Sequence, residues 1–133
     1  MNSDKELNEV VTRITQLLGD DLDFIVLFGS AATGHTHKLS DLDIGVKVSV
    51  PESSYAEVFK ELLSLFDSTE NPHIDVTLLN LASLSLQFRS VRDGKMLYSR
   101  NEEVWQVYVE YVLTRYPDWN LYIENYLKQS IGG

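Results

Sequence analysis

Cysteine is absent from this chain. Disulfide staples and thiolate metal sites are excluded with it, and the lack fits a reducing compartment. Proline is scarce, three in 133 residues. No linker rich in proline or glycine, low-complexity segment or internal repeat interrupts the chain, so one domain is expected over residues 1–133, about the usual domain size. No run of about 18 apolar residues occurs, which leaves no candidate transmembrane helix. The first residues, Met-Asn-Ser-Asp-Lys-Glu-Leu, lack the apolar segment of a secretory signal and read as the start of a cytoplasmic protein. Positive charge is short as well, with 11 Lys and Arg against 20 Asp and Glu and a formal net charge of −9. Gripping a phosphate backbone depends on Lys and Arg displacing counterions, so a DNA or RNA template is not an expected partner. A small anionic ligand stays compatible if a metal ion or a local basic patch accompanies it.

What the chain does contain is apolar sequence in regular patterns, with 44% hydrophobic residues. Leu7, Val10, Val11, Ile14, Leu17 and Leu18 recur at helical spacing, predicting a helix over residues 4–18 that stops at Gly19. Phe24 to Phe28 is a short continuous apolar run before a glycine, the pattern of a strand buried on both faces. Residues 31–40 are small and polar and read as a loop. In residues 41–50 the pattern alternates: Leu42, Ile44, Val46, Val48 and Val50 share one face, while Asp41, Asp43, Gly45, Lys47 and Ser49 share the other. A helix is predicted over 51–66, a turn at Asn71-Pro72, a strand over 73–79, a helix over 81–92 and a short strand over 95–99. Residues 101–128 read as a helical region interrupted near Pro117. The expected fold class is α+β, a small mixed β-sheet flanked by helices.

Two carboxylates at the start of a strand require an explanation. Asp41 and Asp43 are two residues apart, so their side chains leave the same face of the strand with Cα atoms about 7 Å apart. Unpaired burial of such a pair is costly. A hard divalent cation such as Mg²⁺ removes the repulsion, since it takes oxygen ligands from one or two carboxylates and from substrate phosphates. Asp75 interrupts the apolar strand Ile74-Asp75-Val76 and becomes a third ligand if that strand lies beside the second. Three acids around one or two metal ions suit phosphoryl transfer, in which one carboxylate takes the proton of an attacking hydroxyl. Gly29-Ser30, at the end of the first strand, lets backbone N–H groups approach a phosphate closely, and Ser30 adds a hydroxyl.

Taken singly, each feature has a plainer structural explanation. Gly-Ser is usually only a turn, Asp-x-Asp usually a solvated strand end. The combination is far more specific. Leu27-Phe28-Gly29-Ser30, about ten intervening residues, Asp41-Leu42-Asp43 and a later Asp75 resemble the signature of the nucleotidyltransferase superfamily typified by DNA polymerase beta. The closest likeness is to its small bacterial and archaeal branch, the minimal nucleotidyltransferases. Val91 to Tyr98, ending Gly94-Lys95-Met96-Leu97-Tyr98, resembles that branch's glycine-to-Leu-Tyr element. The resemblance covers about residues 20–100, leaving a C-terminal helical region at about 101–128.

The resemblance implies a polymerase-beta-like fold and transfer of AMP from ATP with two Mg²⁺ ions. It implies Gly29, Ser30 and Lys38 as nucleotide-binding residues, and Asp41, Asp43 and Asp75 as metal ligands and catalytic residues, with Asp75 the candidate base. Small members of the branch are commonly antitoxins of a HEPN-domain toxin RNase, and some add AMP to a tyrosine of that toxin. The chain departs from the branch in one place: where many members carry an arginine just after Gly-Ser, this one has Ala31-Ala32-Thr33-Gly34. Lys38, Lys47, Arg89 and Arg92 are the candidate replacements.

Two other groups stand out. His35 and His37 have metal-ligand spacing but no evident third ligand, and read as polar loop residues. Trp105, Tyr108, Tyr111, Val112 and Tyr116 form a stripe at helical spacing, mostly core. With Trp119 and Tyr122 following, the rings exceed what a small sheet covers, and the surplus predicts a surface for a partner or a homodimer. Three functions share this outline: an AMP-transferring antitoxin, an antitoxin that neutralises by binding alone, and a nucleotidyltransferase acting on a small molecule. Glu57, Glu61, Glu102, Glu103 and Glu110 read as solvated helix faces.

Overall fold

The computed structural model of the chain describes residues 2–29, 42–66 and 73–115. A first helix, α1 (Asn2–Leu18), ends where predicted, at Gly19. Gly19 adopts a left-handed φ of +52°, a conformation glycine enters without the Cβ penalty other residues meet. Strand β1 (Leu22–Phe28) follows, and all seven of its residues are buried. After it come β2 (Leu42–Val48), α2 (Tyr55–Leu65), β3 (Ile74–Leu78), α3 (Leu84–Asp93), β4 (Lys95–Ser99) and α4 (Glu102–Arg115). Residues 52–54, predicted as helix, form a separate 3₁₀ turn before α2. The predicted turn at Asn71-Pro72 and the helical region beyond residue 115 lie outside the described residues.

The four strands make one mixed sheet in the order β3-β2-β1-β4. β1 runs antiparallel to β2 and to β4, and β2 runs parallel to β3. A parallel neighbour needs a crossover, and α2 supplies it. Two apolar clusters occupy the two faces. On one, Val10, Ile14 and Leu18 of α1 and Val58 and Leu62 of α2 cover Leu22, Ile25 and Leu27 of β1 and the alternating Leu42, Ile44, Val46 and Val48 of β2. On the other, Phe88 of α3 and Tyr108 and Val112 of α4 cover Phe24, Val26 and Phe28 of β1. β1 lies against helices on both sides, which is why its sequence is a continuous apolar run rather than an alternating one. Each buried aliphatic or aromatic side chain contributes about 1.5–3 kcal/mol.

Helices α3 and α4 are fastened at their starts. Ser83 caps α3, its hydroxyl accepting from the Leu86 N–H at 3.1 Å. Asn101 caps α4 by accepting from the Val104 N–H at 2.9 Å. The aromatic stripe divides as expected for a core helix. Tyr108 and Val112 are buried, and Trp105 stands edge-on to Phe24 with centroids 5.0 Å apart. Tyr111 and Val107 remain 44% and 59% exposed. The five glutamates read as solvated are all exposed.

Candidate active site

The register of the sheet decides which acids meet. Asp43 pairs with Phe28 across β1 and with Asp75 across β3. Directly paired residues on neighbouring strands project to the same face, so both carboxylates stand on the face that carries α3 and α4. Adjacent strands lie about 4.8 Å apart, which brings the two side chains together at one end of the sheet. Asp75 is exposed on the edge strand, and Asp43 is half-buried one strand further in.

The start of β3 is held from two sides. The His73 carbonyl accepts from the Leu42 N–H at 2.7 Å, and the His73 ring contacts the Glu6 carboxylate of α1. These ties fix the strand's position beside β2, and with it Asp75.

Gly29 completes this end. β1 stops at Phe28, and Gly29 turns the chain with a φ of +81°, in the left-handed region that favours glycine. A Cβ at this position would run into the Asp43 carboxylate. The backbone at Gly29 therefore lies directly against one of the two acids, closer than any side-chain-bearing residue permits. Of the residues singled out from the sequence, the structure brings Gly29, Asp43 and Asp75 together. Ser30, Lys38, Asp41, His35 and His37 lie outside the described residues. Among the described residues, no group of three or more His, Cys, Asp or Glu side chains forms a metal-binding cluster.

The donor set fits Mg²⁺: hard carboxylate oxygens from adjacent strands, with Asp75 exposed so that phosphate and water ligands can complete the shell. Among the described residues, no cluster adds the softer nitrogen or sulfur donors that would favour zinc or copper to Asp43 and Asp75.

Lys47 does not reach this end. It is four residues along β2 from Asp43, about 13 Å away, and its ammonium pairs with Asp23 at 3.3 Å. Asp23 is buried and also accepts from Arg100 at 2.6 Å and from Ser49 at 2.7 Å. Lys47 is corrected from a candidate phosphate contact to part of this ion-pair hub. The hub itself was not legible in the sequence: the extra residue that breaks the β1–β2 register between Leu22 and Phe24 turns Asp23 inward, and no spacing rule announces a bulge. Asp23, Lys47 and Ser49 line a cavity of about 450 Å³ together with Tyr55, Tyr108 and Tyr111, at the end of the sheet remote from Asp43.

The Tyr108 phenol donates to the Gln87 side chain at 3.2 Å. Burial pushes this phenol well above its ordinary range, so it is a neutral packing group, not an acid or base for chemistry.

Comparison with known proteins agrees with this fold. The profile of the family described as polymerase beta, nucleotidyltransferase matches residues 11–103. The protein adenylyltransferase MntA of Shewanella oneidensis is 34% identical over 104 residues, covering 74% of this chain and 70% of that protein. Among solved structures, a toxin-antitoxin with AMP-PNP aligns with a TM-score of 0.61 at 21% identity, over 92% of this chain and 97% of that one. A tri-AMPylated Shewanella oneidensis HEPN toxin in complex with its MNT antitoxin aligns with a TM-score of 0.58 at 18% identity, over 96% and 98% of the two chains. At that identity the structural likeness is one of fold.

Proposed function

The chain belongs to the polymerase beta nucleotidyltransferase family, and from that premise we propose that it transfers AMP from ATP to a hydroxyl, most simply a tyrosine, of a HEPN-domain toxin and acts as that toxin's antitoxin. The observation that carries the reading is the in-register pairing of Asp43 with Asp75, with the Gly29 backbone against Asp43. The relative that shares 34% identity is named for protein adenylyltransfer, which supports the acceptor. Residues 1–133 are taken as one nucleotidyltransferase domain. No helix among the described residues is long and apolar enough to cross a membrane, and the reading puts the protein in the cytoplasm, where ATP, Mg²⁺ and a toxin RNase meet.

In this mechanism Asp41, Asp43 and Asp75 are the residues that would hold Mg²⁺, up to two ions. When bound, the metal supplies neutralisation of the triphosphate charge. Gly29 and Ser30, with Lys38, hold the phosphates through backbone N–H groups, a hydroxyl and a cation. The acceptor oxygen attacks the α-phosphorus, and the bond from that phosphorus to the oxygen bridging to the β-phosphate breaks. Pyrophosphate leaves, and AMP stays on the acceptor. Asp75, exposed at the sheet edge, takes the hydroxyl proton.

The test is transfer of label from α-labelled ATP to a HEPN toxin in the presence of Mg²⁺. Label on the toxin, lost in Asp43→Asn by at least about a hundredfold, is the expected result. Absence of label with the unaltered protein, while the toxin is still neutralised, contradicts it. A second reading, neutralisation by binding alone, is favoured by exposed Val107 and Tyr111 on α4, a surface that also suits a homodimer. In that case Tyr111→Ala abolishes the complex and Asp43→Asn leaves neutralisation intact.

A further inference from the structure

The end of the sheet that carries Asp43 and Asp75 is acidic, in a chain with net charge −9. A triphosphate brought there meets repulsion from every carboxylate that the metal does not neutralise, so a protein cation at the same end has a definite task. Most described cations whose contacts are seen are engaged elsewhere. Lys47 and Arg100 pair with Asp23 at the far end. Arg13 lies over Phe66, whose ring belongs to the opposite face, and Arg115 lies over Tyr111 at the end of α4. Lys95 pairs with Leu27, which also faces the opposite cluster.

Arg92 is placed differently. It sits in the last turn of α3, the helix that covers the carboxylate-bearing face. Four residues from Phe88, it shares that side chain's face of the helix, and its guanidinium lies 6.0 Å from the Phe88 ring centroid. Phe88 packs in the same cluster as Phe28, the residue paired with Asp43. The backbone runs the same way. Gly94, two residues on, lies against Val26, and β4 begins opposite Leu27, so α3 ends beside the point where β1 delivers Gly29. Asp93 grips Arg92 with two parallel bonds, Nε at 3.0 Å and Nη2 at 2.8 Å. That bidentate grip fixes the plane of an otherwise flexible side chain.

We infer that Arg92, oriented by Asp93, is a cationic contact to the nucleotide's phosphates at the Gly29 turn, additional to Lys38. This rests on the nucleotide-transfer reading and deepens it. A guanidinium suits the task better than an ammonium, because its planar fork matches phosphate oxygens two at a time. The plainer role for a basic residue here, balancing the C-terminal end of the helix dipole, predicts an effect on stability and none on ligand affinity.

Calorimetric titration of the full chain with Mg²⁺ and a non-hydrolysable ATP analogue separates the two. Arg92→Gln is expected to weaken analogue binding by about 10- to 100-fold, the range of a charge-assisted contact, and the loss shrinks as salt is added. Arg92→Lys recovers part of it. Lys60→Gln, on α2 over the opposite face, removes the same charge and stays within about twofold of the unaltered protein. Adenosine, which has no phosphate, binds Arg92→Gln and the unaltered protein alike. Analogue affinity in Arg92→Gln within twofold of the unaltered protein overturns the inference alone. An unaltered protein that binds no analogue overturns the nucleotide-transfer reading beneath it.

Discussion

At the scale of single residues, two glycines with the same backbone habit separate conformation from proximity. Gly19 and Gly29 both have left-handed φ, +52° and +81°. A Cβ on Gly19 meets nothing within 4 Å, whereas one on Gly29 meets the Asp43 carboxylate. Gly19→Ala therefore isolates the backbone strain, about 1–2 kcal/mol, and leaves AMP transfer unchanged. Gly29→Ala adds a displaced Asp43, and a 1 Å misplacement at a reacting centre costs about a hundredfold in rate. Chemical denaturation with a parallel transfer assay checks the pair. Equal activity in the two variants removes the claim that Gly29 is there to let the backbone lie against the acid. Gly29, Asp43 and Asp75 were all legible in the sequence because each breaks an apolar pattern. Asp23 was not, because its inward turn comes from a register shift that leaves no periodic trace. Arg92 was legible only as one of four candidate cations, since its placement depends on where α3 ends in space.

At the scale of elements, sheet register turns separate motifs into a site. The parallel pairing of β2 with β3 puts Asp43 opposite Asp75; a shift of one residue would send one of them to the face covered by α1 and α2. The alternation in β2 and the continuous apolar run of β1 made the strands readable, and α1, α3 and β4 were readable from periodicity and their glycines. The 3₁₀ turn at 52–54 was not, since a proline followed by polar residues suits a helix's first turn equally well. Packing of α4 on the sheet has its own signature in pH. The Tyr108 phenol has an ordinary value of 10.0, and burial raises it in the folded protein. The fold therefore favours the protonated form, so its contribution is intact below pH 10.0 and declines as pH rises above that. Tyr108→Phe, which cannot ionise, is expected to lose less stability than the unaltered protein between pH 9 and about 11, measured by urea midpoints. Identical alkaline slopes would show that this phenol is not shielded by the packing of α4 on the sheet.

At the scale of the whole molecule, polar groups divide between the two ends of one sheet. One end carries the paired carboxylates, the Gly29 turn and the Arg92–Asp93 grip. The other holds the Asp23 hub, where two cations and Ser49 satisfy one buried acid and fasten β1, β2 and β4 together. A strongly acidic chain thereby keeps its cations for specific positions, which suits a small anionic substrate accompanied by metal better than a nucleic-acid strand. Val107 and Tyr111 of α4 remain exposed, the surface on which the proposed toxin or homodimer contact draws. The central claim is that Asp43 and Asp75 serve one metal–nucleotide complex, and spectroscopic titration of Mn²⁺ with a non-hydrolysable ATP analogue tests it most directly. Asp43→Asn and Asp75→Asn should each weaken uptake of the Mn²⁺–nucleotide complex by at least about tenfold, about 1.4 kcal/mol, with the fold unchanged by circular dichroism. Uptake in both variants equal to that of the unaltered protein would contradict the account.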